Sequence, residues 1–136
     1  MPTRHTLTIG QLSKKTGVGI ETIRYYERTE LIKDPPRRDS GYRDYPEETV
    51  DQLNFIINAK ELGFSLNEIK ELLALDSRPW TTAGDIKNKA ETKVVQIEHK
   101  IEMLTNMRDT LKKLIEECSG KGSKFKCPIL NRIKGK

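Results

Sequence analysis

The apolar positions of this chain fall into helical spacing from near its start. Thr8 suits the cap of a short helix carrying Ile9 and Leu12, and Gly17 supplies the positive φ that ends a helix. A second short helix follows, with Ile20 and Ile23 facing inward and Val18 packing the turn. Further on, Val50, Leu53, Ile56, Ile57 and Leu62 keep helical spacing until Gly63-Phe64-Ser65 interrupts it. Pro46-Glu47-Glu48 is a suitable start for that helix. Ser65 and Glu68 form a capping-box pair, after which Ile69, Leu72, Leu73 and Leu75 line the next helix. These stripes are read as core. From Asp85 to Glu117 there is neither Gly nor Pro, and Val94, Ile97, Ile101, Leu104, Leu111 and Ile115 recur in heptad steps with Arg108 as the misfit. A helix of that length runs roughly 50 Å and cannot bury its own stripe. A second copy of the chain is the simplest cover, and folding back onto its own domain is the alternative.

Between the second and third helices the pattern changes. Pro35-Pro36 and Ser40-Gly41 form turns, and Tyr42, Arg43 and Tyr45 alternate as in a short strand. A hairpin here, tipped by Arg37 and Arg38, reads as a wing. A two-stranded hairpin is unstable alone, so it must pack on the helices. The whole is mainly α.

Composition narrows the function. The chain has 136 residues, a third of them charged and 6% aromatic. That makes a large enzyme cleft within one subunit implausible. No nucleophile–base pair, phosphate-binding Gly loop or catalytic zinc motif is evident, so no enzyme is expected. The apolar runs are too short for a membrane span, and the start lacks the apolar stretch of a signal peptide, so a cytoplasmic protein is expected. Charge is uneven: residues 1–45 hold 9 basic and 6 acidic side chains, residues 46–118 hold 10 and 14, and residues 119–136 hold 6 and none. A basic N-terminal part suggests a polyanionic partner.

Two short helices joined at a Gly turn form a helix-turn-helix candidate, with an ordinary helical hairpin as the plain alternative. In the first reading the second helix enters a DNA major groove, presenting Glu21, Thr22, Arg24 and one of Tyr25 or Tyr26. The wing arginines and tyrosine hydroxyls would then hold nearby phosphates.

The strings TIGQLSKKTGVGIETIRYYERTELI, PPRRDSGYRDY and INAKELGFSLNEIKELL, followed by a long helix, resemble the MerR family of bacterial transcription regulators. The resemblance spans nearly the whole chain. It implies a winged helix-turn-helix DNA-binding domain (1–76), a hinge (77–84), a long antiparallel coiled-coil dimerisation helix (85–117), and a metal-binding loop with C-terminal tail (118–136). It further implies a homodimer on double-stranded promoter DNA, which distorts an overlong spacer so that RNA polymerase can start. The DNA contacts it implies are Thr22, Arg24, Tyr26, Arg38, Tyr42, Arg43 and Tyr45. Glu21 stands where relatives vary and is left out.

Cys118 and Cys127 enclose eight residues containing Gly120 and Gly122. Such a loop lets two thiolates approach one ion, and Lys121, Lys124 and Lys126 are expected to lower the thiol pKa values. Soft thiolates favour Cu(I), Zn(II) and other soft ions. In the resembling family, sensors of divalent ions carry a further Cys at the start of the dimerisation helix, where this chain has Ala83. That favours a two-thiolate site for Cu(I), with Ag(I) or Au(I) as analogues, over a divalent ion. The loop length cuts the other way, matching the mercury type, since the copper type is usually one residue shorter. A thiol-based redox sensor and an architectural DNA-binding dimer with inert cysteines remain alternatives. His5 and His99 are read as surface residues rather than ligands.

Overall fold

The computed structural model describes residues 6–37, 41 and 43–136. The chain divides into two compact units, 1–86 and 87–136.

The first unit opens with strand β1 (Thr6–Leu7) and helix α1 (Ile9–Thr16). Thr8 and Gln11 cap α1 reciprocally: the Gln11 N–H donates to Thr8 Oγ1 at 3.2 Å, and the Thr8 N–H donates to Gln11 Oε1 at 2.9 Å. Gly17, at φ 77°, ends α1 in the left-handed conformation that glycine adopts without a Cβ clash. Three residues later the chain enters α2 (Ile20–Arg28). Val18 fills the turn as expected, while Ile20 is exposed and Ile23 alone of the pair reaches the core. Ile20 sits in the first turn of α2, a helix whose inward line is drawn by Ile23 and Tyr26.

The hairpin expected over residues 33–45 lies partly on residues outside those described. Among the described residues the local pairing is a single antiparallel bridge, Arg37 with Arg43, supported by the Asp44 N–H donating to Pro36 O at 2.9 Å. The two-stranded ladder forms elsewhere. Strand β2 (Tyr45–Pro46) pairs antiparallel with β1, placing Thr6 opposite Pro46 and Leu7 opposite Tyr45. Pro46 supplies no N–H and ends the ladder.

Helices α3 (Glu48–Glu61) and α4 (Leu66–Ser77) complete this unit. The capping box read at Ser65 and Glu68 is present, with bonds of 3.2 and 2.8 Å. Leu12, Ile23, Tyr45, Leu53, Ile56 and Ile69 are fully buried, joined by Leu31 and Ile32 from the turn after α2. Leu62, expected on the apolar stripe of α3, is instead its exposed C-cap. α1 packs on both α2 and α3, so the helix-turn-helix pair is held from behind by the longer helix.

Helix α5 spans Ala83–Glu117, starting two residues before the expected Asp85. The reason is a further reciprocal cap: the Asp85 N–H donates to Thr82 Oγ1 at 3.2 Å, and the Thr82 N–H donates to Asp85 Oδ2 at 2.9 Å. Gly84 is accommodated in the first turn.

In the second unit, Val94, Ile97, Ile101, Leu104, Leu111 and Ile115 of α5 are all exposed in the single chain. A 3-10 turn (Lys124–Lys126) and a short helix α6 (Pro128–Ile133) follow the loop after α5. No helix is long and apolar enough to cross a membrane, among the described residues.

Candidate nucleic-acid interface and thiol pair

The inward side of α2 is set by Ile23 and Tyr26, three residues apart. On a helix the opposite face then carries Glu21, Arg24, Tyr25 and Arg28, with Thr22 at its flank. The structure places them so. Thr22 and Arg24 are exposed, as expected for groove contacts. Arg24 Nη1 rests 3.2 Å from Glu21 Oε1 in a solvent-exposed i,i+3 pair, which competes only weakly for the guanidinium.

The two tyrosines take opposite roles. Tyr26, expected to contact DNA, is only 4% exposed and belongs to the core. Tyr25 is 44% exposed, with the Arg28 guanidinium 6.0 Å from its ring centroid. Tyr25 and Arg28 therefore join the candidate surface. The three-residue step from Ile23 to Tyr26 was the available signal.

Tyr45 requires a second correction. Its side chain is fully buried opposite Leu7 on the β ladder, and its hydroxyl donates to the Glu27 carboxylate. It holds the wing base to the end of α2 instead of reaching out toward phosphate. Burial is the main cause that pushes its phenol pKa well above the usual value, and the Glu27 hydrogen bond and charge push it further. Arg43 is anchored to the same residue, its Nε lying 3.0 Å from Glu27 Oε2. Glu27 was not singled out from sequence, since a glutamate near a helix end reads as solvated; here its side chain is buried and takes both partners. Arg37, bridged to Arg43, remains exposed. Arg38 and Tyr42 lie outside the described residues, as does His5. His99 is exposed on α5.

The second constellation is built locally. Cys118 follows the last turn of α5, its N–H donating to Leu114 O and Ile115 O. Gly120 and Gly122 both take positive φ, 74° and 88°, and turn the chain back. The 3-10 turn then delivers Cys127 to the N-cap of α6. The two Sγ atoms lie 3.9 Å apart as free, half-buried thiols. Cys127 has its pKa lowered, first by the Leu130 N–H, with smaller contributions from the Ile129 N–H and Cys118, against a partial opposing effect of burial. This corrects the expected cause: the lowering comes from backbone N–H groups at the start of α6 and not from the loop lysines. Two bonds of about 2.3 Å, a zinc–thiolate length, span at most about 4.6 Å, so both sulfurs fit a single soft ion. Ala83, which opens α5, has no donor atom in its side chain. Among the described residues no group of three or more His, Cys, Asp or Glu side chains is placed to hold a metal.

Residues 7–76 match the family profile described as "MerR HTH family regulatory protein", and residues 50–114 match that described as "MerR, DNA binding". The chain is 42% identical to the "Mercuric resistance operon regulatory protein" of Bacillus cereus over 125 residues, covering 92% of this chain and 95% of that protein. It is 39% identical to the "HTH-type transcriptional regulator CueR" of Yersinia pestis, covering 95% and 92%. Its fold is similar to the crystal structure of the transcription regulator PbrR691 from Ralstonia metallidurans CH34 in complex with lead(II), with a TM-score of 0.82 at 29% identity, covering 93% and 98%.

Proposed function

Because the chain belongs to the MerR family of helix-turn-helix regulatory proteins, we propose that it is a metal-gated transcription regulator acting as a homodimer on promoter DNA. Residues 1–76 form the DNA-binding part, 77–84 the hinge, 85–117 the dimerisation helix, and 118–136 the sensor loop and tail. Thr22, Arg24 and Tyr25 of α2 read the major groove, and Arg37, Arg38, Tyr42 and Arg43 engage the flanking backbone. Tyr26 and Tyr45 position these residues from the core. The exposed apolar line of α5 supports a second copy as its cover. Binding of metal alters the promoter's geometry, and RNA polymerase at that promoter responds.

The observation that carries the sensing role is the 3.9 Å approach of Cys118 to Cys127 in a folded loop. Thiolates are soft ligands, and two of them satisfy a linear monovalent ion. With Ala83 offering no third donor, Cu(I) is the ion we assign, with Ag(I) and Au(I) as chemical analogues. A bound ion would supply a fixed link between the end of α5 and the start of α6.

A second reading is favoured by the relative named for a mercuric resistance operon and the neighbour solved with lead(II). In it the ion is divalent, and a further ligand comes from outside the pair.

Anaerobic titration of the reduced dimer with buffered Cu(I), Zn(II) and Hg(II) separates the two. One Cu(I) per site, lost in Cys118→Ser, with weak Zn(II) binding, supports the first. Tight Hg(II) or Zn(II) binding without comparable Cu(I) binding supports the second. Disulfide formation without metal uptake would instead indicate a redox sensor.

A further inference from the structure

The two thiols, read above as a soft-metal pair, are surrounded by cations. Cys118 and Cys127 open onto a cleft of about 440 Å³ whose rim carries Lys121, Lys124 and Lys126, against a single acid, Glu117. All three lysines are exposed. Residues 119–136 hold six basic side chains and no acidic one. Phe125, 72% exposed, draws one more cation to the loop: the ammonium groups of Lys124 and of Lys134 lie 5.7 and 6.0 Å from its ring centroid. This surface repels a free metal cation. It attracts an anion, because clefts lined by one charge sign concentrate ligands of the other.

A soft monovalent ion held by two thiolates carries a net charge of −1, by simple addition of a +1 ion and two −1 ligands. We propose that the lysine rim recruits the metal in that form, as an anionic complex with small-molecule thiolates, and that the ion passes to Cys118 and Cys127 by ligand exchange. The proposal rests on the reading of the cysteines as a soft-metal pair. Each cysteine loses its thiol proton and forms one metal–sulfur bond. Each displaced carrier thiolate leaves and takes up one proton. The ion keeps its oxidation state and no electron is transferred. The loop is ready for this, since Ser119 and Ser123 already fold it: the Lys121 N–H donates to Ser119 Oγ and the Phe125 N–H to Ser123 Oγ, both at 3.2 Å.

The test follows Cu(I) uptake by the full-length dimer in stopped flow from two donors, an anionic bis-glutathione complex and a cationic acetonitrile complex, over a range of ionic strength. The comparison protein carries Lys121→Gln, Lys124→Gln and Lys126→Gln together, and circular dichroism confirms its fold. Uptake from the anionic donor is expected to slow about tenfold in the triple variant, the lower end of electrostatic steering, and to lose its salt dependence. Uptake from the cationic donor is expected to hold or quicken. Equal slowing from both donors, or salt-independent uptake by the unaltered protein, overturns the proposal while equilibrium Cu(I) binding leaves the metal-pair reading intact. Absence of Cu(I) binding by the unaltered protein overturns both.

Discussion

Tyr45 donates its hydroxyl hydrogen bond to Glu27, tying strand β2 to the last turn of α2. The bond joins Tyr45 to the helix that carries the candidate groove-facing side chains, and Arg43 meets the same carboxylate at its other oxygen. Among the described residues, Arg43 and Tyr45 are therefore held by one buried carboxylate, through a half-buried ion pair and a buried phenol.

Tyr45→Phe is expected to cost about 1.5–3 kcal/mol, the usual value of a hydrogen bond to a charged group. Urea unfolding of the dimer followed by circular dichroism measures it. The pH dependence follows from the raised phenol pKa. A group whose folded pKa lies above its unfolded value of about 10 contributes stability that is complete below that value and is lost as pH rises through the folded pKa. The unaltered protein should lose stability on the alkaline side, above roughly pH 10, and Tyr45→Phe should remove part of that loss. An unchanged alkaline limb would mean that Tyr45 is not the group responsible.

Tyr25 and Tyr26 should separate binding from folding. Tyr26→Ala removes a core ring and is expected to destabilise by about 3–5 kcal/mol, as large aromatic truncations do. Tyr25→Ala should leave the unfolding midpoint nearly unchanged and weaken promoter binding. Paired thermal melts and fluorescence-anisotropy titrations decide it, and a Tyr25→Ala protein with full affinity would remove Tyr25 from the interface.

Arg24→Ala should weaken binding to the promoter without unfolding the dimer. If Arg24 contacts phosphate, the slope of log affinity against log salt flattens by about 0.9 per contact in each half-site. If it contacts a base, sequence discrimination falls and the slope holds.

Cys127 should react as a thiolate below the ordinary cysteine range. Iodoacetamide modification of the Cys118→Ser protein isolates it, although that change also removes the smallest of the three causes lowering its pKa. The half-maximal rate is expected below about pH 8.5, the reference thiol value. A profile at or above that value would show that the α6 N–H groups do not stabilise the thiolate.

Leu104→Lys and Leu111→Lys place charges on the exposed apolar line of α5. Sedimentation is expected to report a dimer for the unaltered chain and a monomer for these variants. A dimer that survives both changes would direct attention to another surface.

The helices and their caps were legible because they are local. Thr8 before Ile9, Ser65 three residues before Glu68, and Gly17 after a short apolar repeat each act within one turn. What failed to show was set by distance along the chain. Thr6–Leu7 forms a strand only because Tyr45 comes alongside, and a two-residue strand has no period to read. Glu27 appears solvated in sequence and is buried in space, because Tyr45 and Arg43 arrive from 18 and 16 residues away. Tyr26 and Tyr45 carry family-like motif positions that sequence matching equates with contact, whereas the fold uses both in its interior. For the thiols, the loop and its glycines were readable, but the backbone N–H groups acting on Cys127 required knowing where α6 begins.

Among the described residues three helix starts close on themselves, at Thr8 with Gln11, Ser65 with Glu68 and Thr82 with Asp85. Each uses residues three apart, so each closes with almost no chain entropy lost to loop formation. Helices α1, α4 and α5 can therefore acquire their boundaries early during folding, before distant segments meet. The slower remainder joins distant segments, the pairing of Thr6–Leu7 with Tyr45–Pro46 and the packing of α1 on α3, each across roughly forty residues of chain. Folding rate should thus depend most on these long-range contacts, although the ladder among them is only four residues of strand.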